Sequence, residues 1–255
     1  MTTRVGIVSG LFILAAITLL ARCPAASSRT PSSDEGVFSG IDLGVRVGTV
    51  FAQHTGTEER DSEYEVASRW RIGTTMGIFA YWPVTKRFGL QQGVTYAQKG
   101  SYQKIDVRIL EVPTRLDVTY EMDYLEIPVL MRLSWLQWER SEVYSLTGTA
   151  LSLRIHDRYR LAGQIDDGQQ VVPVQADADM AEVDLFDYSF VHGLGWGFTA
   201  WKLRLLIEYR FTIGWNSLAM PTYAYVPFGN DQILVENEPV PLKNQLHSVT
   251  VGIRF

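Results

Sequence analysis

The chain has 255 residues, a formal net charge of −5 and a mean hydropathy close to zero, so its composition suits one large domain or two small ones. The acidic balance and the absence of a run of Lys and Arg argue against nucleic acid as a partner. Cys23 is the single cysteine, which excludes an internal disulfide framework.

The N-terminal segment has the order of a secretory signal peptide. Arg4 precedes an apolar run over residues 5–21, and small residues follow that run. We therefore predict that residues 1–26 form a signal peptide that is cleaved near Ala25 or Ala26. A single transmembrane helix is the alternative, but it would need about 20 apolar residues.

The residues around the predicted cleavage site leave a second alternative open. Cys23 could be the lipidated first residue of a lipoprotein, although Arg22 stands where such sites have a small residue. Residues 27–36 are rich in Ser, Thr and Pro and predict a short tether. The folded domain is then expected to comprise residues 37–255.

Segments that alternate apolar with small or polar residues recur along this domain, and a period of two predicts β-strands. In the first strand, Leu43 and Val47 share one face, and Gly44 and Arg46 share the other. We predict eight strands, which begin in chain order near Val37, Trp70, Phe88, Leu125, Val143, Tyr188, Leu203 and Val249.

The two faces of these strands indicate a membrane barrel. The polar faces combine glycine with single charges of both signs, which suits a narrow interior, and the apolar faces carry large side chains that suit lipid. A sheet in lipid must close on itself because an unpaired edge cannot be hydrated there. The predicted fold is therefore all-β, an eight-stranded antiparallel transmembrane β-barrel with up-and-down meander connections.

Connection lengths support an outer-membrane location. Short links over residues 83–87, 134–142 and 199–202 alternate with long links over residues 54–65, 101–122, 155–187 and 215–243. Outer-membrane barrels have short periplasmic turns and long external loops. Residues 103–121 keep some alternation and predict an extended hairpin.

Aromatic residues near the strand ends predict two interfacial girdles. The periplasmic girdle is expected to contain Trp82, Trp135, Trp138 and Trp201. The external girdle is expected to contain Trp70, Tyr102, Tyr120, Tyr124 and Trp215. Phe255 ends the last strand, and we predict that it belongs to the signal read by the barrel-insertion machinery.

Several stretches resemble the PorT-like family of outer-membrane β-barrel proteins. They are YLEIPVLMRL at residues 124–133, FGLQQGVTYAQKG at residues 88–100, Glu208, Tyr209, Arg210 and Gly214 in strand seven, and VGIRF at residues 251–255. The Tyr209–Arg210 order is inverted relative to the family pattern. The resemblance implies a barrel fold in the outer membrane, and it implies assistance to a protein secretion system, the role of the named members.

The charges on the predicted inner faces are the candidate site, and we interpret them as a structural ion-pair network that fills the barrel. An eight-stranded barrel has an interior only wide enough for side chains, and desolvated charges must be paired. The network comprises Asp42, Arg46, Arg71, Glu126, Arg132, Glu208, Arg210 and Arg254, with Lys99 on the same face. Glu126→Ala is expected to lower stability before it alters any transport.

Enzymatic and metal chemistry are the weaker hypotheses. A lipid-modifying barrel enzyme would need His, Ser and a carboxylate together, and none of the histidines His54, His156, His192 and His247 lies in a GxSxG element. The acidic segment at residues 177–187 could bind a hard cation but is better interpreted as a solvated loop. We predict no catalytic residue, no metal and no cofactor.

The sequence therefore predicts a non-enzymatic, monomeric outer-membrane barrel that is structural or binds a partner through its long external loops. Its expected partners are outer-membrane lipid, the barrel-insertion machinery and components of a secretion system. A narrow channel for small solutes and a lipid-modifying outer-membrane barrel enzyme are the alternatives.

Overall fold

The computed structural model of the protein describes residues 40–55, 65–109, 112–166, 171–178, 184–201, 203–228 and 231–255. These residues form ten β-strands: β1 (Asp42–Thr55), β2 (Glu65–Pro83), β3 (Phe88–Ile109), β4 (Val112–Gln137), β5 (Ser141–Asp166), β6 (Val171–Ala178), β7 (Phe186–Ala200), β8 (Leu203–Gly214), β9 (Leu218–Phe228) and β10 (Asp231–Arg254). No helix long and apolar enough to cross a membrane occurs in these ranges. The predicted signal peptide, the tether and Val37 lie outside them.

Eight of the strands close into an antiparallel ring in the order β1-β2-β3-β4-β5-β7-β8-β10. The ring closes where β1 pairs with β10, and Leu43 and Phe255 exchange backbone hydrogen bonds of 2.9 and 3.2 Å. This arrangement confirms the predicted all-β barrel. The role of Phe255 as an assembly signal remains a prediction.

The β2–β3, β4–β5 and β7–β8 connections, predicted to be short, all lie at one end of the ring, which we call the turn end. One of them is shorter than predicted, because β4 continues to Gln137 and β5 already begins at Ser141. Residues 134–142 were therefore wrongly assigned to a connection. Strand pairing continues there because Leu136 and Val143 are partners across a local irregularity in the ladder.

At the opposite end, several strands continue well past the ends of β7 and β8. There β5 pairs with β6 instead of β7, β10 pairs with β9 instead of β8, and one pair, Gln175 with Tyr225, joins β6 to β9. The β3–β4 hairpin runs to the pair Ile109 and Val112, as the alternation in residues 103–121 predicted. We call this part the extension. Much of the predicted external loops is thus strand.

The outward face of β4 shows where the membrane lies. From Leu125 to Trp135 this face is apolar, and its large side chains are 40–61 % exposed from Ile127 onward. Ten residue steps of about 3.3 Å give about 33 Å along the strand, or about 25 Å at a tilt of about 40°. This matches the apolar band of about 25 Å in outer-membrane barrels.

Beyond Leu125 the two faces of β4 exchange character. The outward face becomes polar, with Arg115 and Asp117 exposed, whereas Leu116 and Val118 are buried inside. The extension therefore has an apolar core and a polar surface, like a water-soluble sheet. The buried core side chains are Leu116, Val118, Tyr120, Met122, Tyr159, Leu161, Val174, Ala176, Leu218 and Leu242.

The same change corrects part of the predicted external girdle. Tyr120 and Tyr124 are 1 % and 0 % exposed and face the interior, so their assignment to the girdle was wrong. Trp70, Tyr102 and Trp215 are exposed, as expected of interfacial aromatic residues.

On β4, Pro128 lacks a backbone N–H, and the β3–β4 ladder accordingly skips the pairs opposite Ile127 and Pro128.

Candidate functional site

The interior of the ring contains three clusters of charged side chains, stacked along the barrel axis. The first, at the turn end, we call the floor cluster: Arg132, Glu142, Arg204 and Arg254, with Asp42 at its edge. Glu142 Oε1 accepts a hydrogen bond from Arg132 and lies 2.8 Å from Arg204 Nη2 and 4.0 Å from Arg254 Nη2. Arg254 Nε lies 3.4 Å from Asp42.

Two tyrosine rings make cation–π contacts with the arginines of the floor cluster. The Arg132 guanidinium carbon lies 3.4 Å from the ring centre of Tyr144 and 4.8 Å from that of Tyr81, and Arg254 lies 4.7 Å from Tyr81. A guanidinium stacked on a ring gains cation–π attraction and keeps its N–H groups pointing sideways. Tyr81 and Tyr144 thus pack directly against the arginines of the floor cluster.

The second cluster is centred on Glu208. Its carboxylate lies 2.5 Å from Arg210 Nη2 and 3.8 Å from Arg46 Nη1, and it accepts a 2.8 Å hydrogen bond from the Tyr144 hydroxyl. Arg46 Nη2 also donates to Thr95 Oγ1 at 2.6 Å. Every one of these charged groups is buried, so each is stabilised by its partners rather than by water.

The third cluster surrounds Lys99, which is fully buried. Lys99 Nζ lies 2.8 Å from Glu126 and 3.6 Å from Asp187, and it donates to Ser152 Oγ at 3.2 Å. Asn244 donates to Asp187 at 2.8 Å. Two carboxylates around one ammonium give this cluster the opposite balance of charge to the floor cluster.

All the sequence-predicted inner charges lie inside the ring or at its rims, but not in one network. The floor cluster contains Asp42, Arg132 and Arg254. The second cluster contains Arg46, Glu208 and Arg210. The third cluster contains Glu126. Arg71 stands apart at the base of the extension, where it donates to Lys99 O at 2.6 Å and lies 3.7 Å from Glu121.

Sequence reasoning missed three members of these clusters: Glu142, Asp187 and Arg204. Glu142 and Asp187 were assigned to connections, so their strand parity was not considered. Arg204 has the parity of Glu208 on β8, and this signal was available. Asp187 is therefore an inner strand residue and not part of a solvated loop.

The outer surface of the extension carries a different set of ion pairs. Arg158 contacts Asp177 through two hydrogen bonds of 2.6 and 2.7 Å, and this contact lowers the pKa of the Asp177 carboxyl. Arg160 lies 2.5 Å from Glu121. These pairs link β4, β5 and β6 and are exposed to solvent, so each contributes little stability.

The histidines show no arrangement for nucleophilic catalysis in the described part of the chain. His54 Nδ1 lies 2.7 Å from Ser101 Oγ, but both side chains are buried and His54 Nε2 has no partner among the described residues. His192 and His247 contact Thr147 and Tyr209 on the outer face.

A closed antiparallel ring with an apolar outer band, a paired charged interior and short turns at one end defines a transmembrane β-barrel of the outer-membrane type. The chain belongs to the family described as outer membrane protein beta-barrel domain, whose model matches residues 25–219. No match was found among the curated proteins.

Solved structures of outer-membrane proteins are similar to this chain. OprG from Pseudomonas aeruginosa is 11 % identical with a TM-score of 0.41, and the match covers 86 % of this chain and 98 % of OprG. Neisserial surface protein A is 11 % identical with a TM-score of 0.39, covering 85 % and 100 %. The outer membrane protease OmpT from Escherichia coli is 8 % identical with a TM-score of 0.38, covering 88 % and 99 %.

Proposed function

We propose that the protein is a non-enzymatic, non-conducting, monomeric barrel that binds a protein partner through the outer surface of its extension. The observation that carries this proposal is the extension itself, whose strands continue beyond the membrane band around an apolar core of their own. Such a core holds exposed strands in fixed positions, as a recognition surface requires. Insertion machinery and outer-membrane lipid are the other expected partners.

The filled interior supports the non-conducting part of the proposal. Leu130, Tyr144, Leu146 and Arg132 are 0 % exposed, and Leu206 is 1 % exposed, so these side chains do not border a water-filled lumen. They come from three strands of the ring, β4, β5 and β8. Side chains alone can fill a barrel of this size.

The surface of the extension suits a protein partner better than lipid. Its outward side chains include the pairs Arg158–Asp177, Arg160–Glu121 and Lys104–Asp117, which alternate in sign from strand to strand. Mixed charge favours orientation and specificity in association. The resemblance of residues 124–133 to the PorT-like family points to a component of a secretion system as this partner.

Shortening the β3–β4 hairpin tests the binding surface. Gln103 and Val118 are cross-strand partners, so an Asn-Gly turn can replace residues 104–117 without altering the register below. In a deletion strain, we expect the wild type to restore the abundance of secreted proteins and the shortened variant to fail while remaining folded in the outer membrane. A Glu139→Gln, Arg140→Gln variant in an exposed short turn is the matched control.

Two results would contradict this proposal. Full restoration of secretion by the shortened variant would exclude the extension as the binding surface. Stable ion-selective openings of the purified, folded wild type in planar bilayers would exclude the non-conducting barrel.

A further inference from the structure

The floor cluster has more cationic groups than the protein neutralises. Arg132, Arg204 and Arg254 all approach the same oxygen, Glu142 Oε1. The second carboxylate oxygen of Glu142 accepts from Ser134 Oγ at 3.2 Å. Asp42 contacts Arg254 only at its edge, and its side chain is 43 % exposed, so solvent screens its charge. A net positive charge therefore remains at the centre of the cluster.

Strand register brings two of these cations face to face. Arg204 on β8 is the direct cross-strand partner of Arg254 on β10, and both side chains point into the ring. Like charges directly opposite each other on neighbouring strands destabilise a sheet. An additional anion between them would remove this repulsion.

The same arginines carry N–H groups that the protein leaves unused. Arg132 Nε and Nη1, Arg204 Nε and Arg254 Nη1 are buried and have no hydrogen-bond partner in the described part of the chain. Arg132 is 0 % exposed, and the rings of Tyr81 and Tyr144 lie 4.8 and 3.4 Å from its guanidinium carbon, so bulk water does not satisfy its donors. Buried donors without acceptors are costly, and a bound acceptor recovers that cost.

The cluster borders solvent at Arg204 and Asp42. The Arg204 side chain is 29 % exposed and lies with Asp42 at the turn end, which faces the periplasm in outer-membrane barrels. Its donors come from guanidinium groups on β4, β8 and β10. A planar carboxylate matches one guanidinium fork, whereas a tetrahedral anion presents oxygens in several directions. We propose that the floor cluster binds a tetrahedral oxyanion of the phosphate class from the periplasm.

Calorimetric titration of the purified barrel in detergent, with inorganic phosphate as the probe, tests this site. We expect saturable binding to the wild type, and binding that is roughly tenfold weaker or more in Arg204→Gln, which loses charge-assisted donors. Arg87→Gln, an exposed arginine at the same end of the barrel, is the matched control and should bind like the wild type. Titration with glycerol phosphate distinguishes a phosphate ester from free phosphate.

A second variant guards against loss of folding in Arg204→Gln. Asp42→Asn removes the acidic group at the edge of the cluster and should tighten phosphate binding several-fold. The proposal is wrong if the wild type binds no phosphate, if Arg204→Gln and Asp42→Asn both bind like the wild type, or if acetate binds as tightly as phosphate.

Discussion

At the scale of single residues, Glu142 is the side chain on which the floor cluster most depends. Glu142→Gln leaves three guanidiniums without the carboxylate that they share. Removing one partner of a buried charge network costs about 3 to 5 kcal/mol, so the free energy of unfolding should fall by about that amount. Urea titration followed by tryptophan fluorescence, in phosphate-free buffer, measures it. Glu139→Gln, in an exposed turn, should change stability little; equal effects of both substitutions would contradict the assigned role.

His54 should make the stability of the extension depend on pH. Burial lowers its pKa from the ordinary 6.5 to about 3, because the imidazolium would lose its hydration among Ser101 and Tyr120. The unfolded chain then binds a proton at mildly acidic pH that the folded chain does not. Stability is therefore fully present above pH 6.5 and declines as the pH falls, by about 3 kcal/mol at pH 4.5.

A substitution isolates this contribution from that of the carboxylates. Thermal unfolding midpoints at pH 7.5 and 4.5 should differ less in His54→Gln than in the wild type. His156→Gln, at an exposed position on β5, should retain the wild-type difference. If His54→Gln and the wild type lose the same stability on acidification, His54 is not the responsible group.

The sequence predicted which side chains point into the barrel, but it did not predict which charged side chains contact each other. The inward parity of Asp42, Arg46 and Glu208 follows from a period of two, which is a local property. Which charge meets which depends on the register between strands, and register is fixed by turn length. The turn before β5 was predicted too long, so Glu142, the partner of three arginines, was not recognised.

At the scale of strands, β4 shows why the extension was only partly predicted. Its apolar residues occupy the outward face from Leu125 to Trp135 and the inward face from Leu116 to Tyr124. The alternation continues, but its phase reverses where the solvent outside changes from lipid to water. A pattern search that requires the apolar residues to stay on one face of the strand ends the strand at this reversal. The backbone ladder nevertheless continues through it.

Two arginine substitutions on the outward face of β4 should differ in their stability cost, because one site faces lipid and the other faces water. Val129→Arg lies within the apolar band and should cost about 2 to 4 kcal/mol if it is near the midplane. Thr119→Arg has the same parity but lies in the extension, so its cost should be limited to the repulsion from its cross-strand partner Arg160, about 1 kcal/mol or less. Folding titrations into lipid vesicles measure both. A large cost for Thr119→Arg, or none for Val129→Arg, would contradict the membrane boundary.

At the scale of the whole molecule, one antiparallel sheet is surrounded by lipid over part of its length and by water over the rest. Within lipid it is polar inside and apolar outside, and beyond lipid it is apolar inside and polar outside. The strand exchange from β7 to β6 and from β8 to β9 occurs in the same part of the barrel. The extension therefore needs no separate domain, because the transmembrane strands carry it directly.

The most direct test of this account is a nitroxide scan of the outward positions of β4 in lipid vesicles, with Cys23 replaced by Ser. Labels at residues 127, 129, 131 and 133 should be accessible to oxygen and protected from a polar nickel complex. Labels at residues 115, 117, 119 and 121 should show the reverse, with the change between Asp123 and Leu125. Uniform accessibility to the nickel complex along the whole strand, or a change at another position, would contradict the barrel and extension described above.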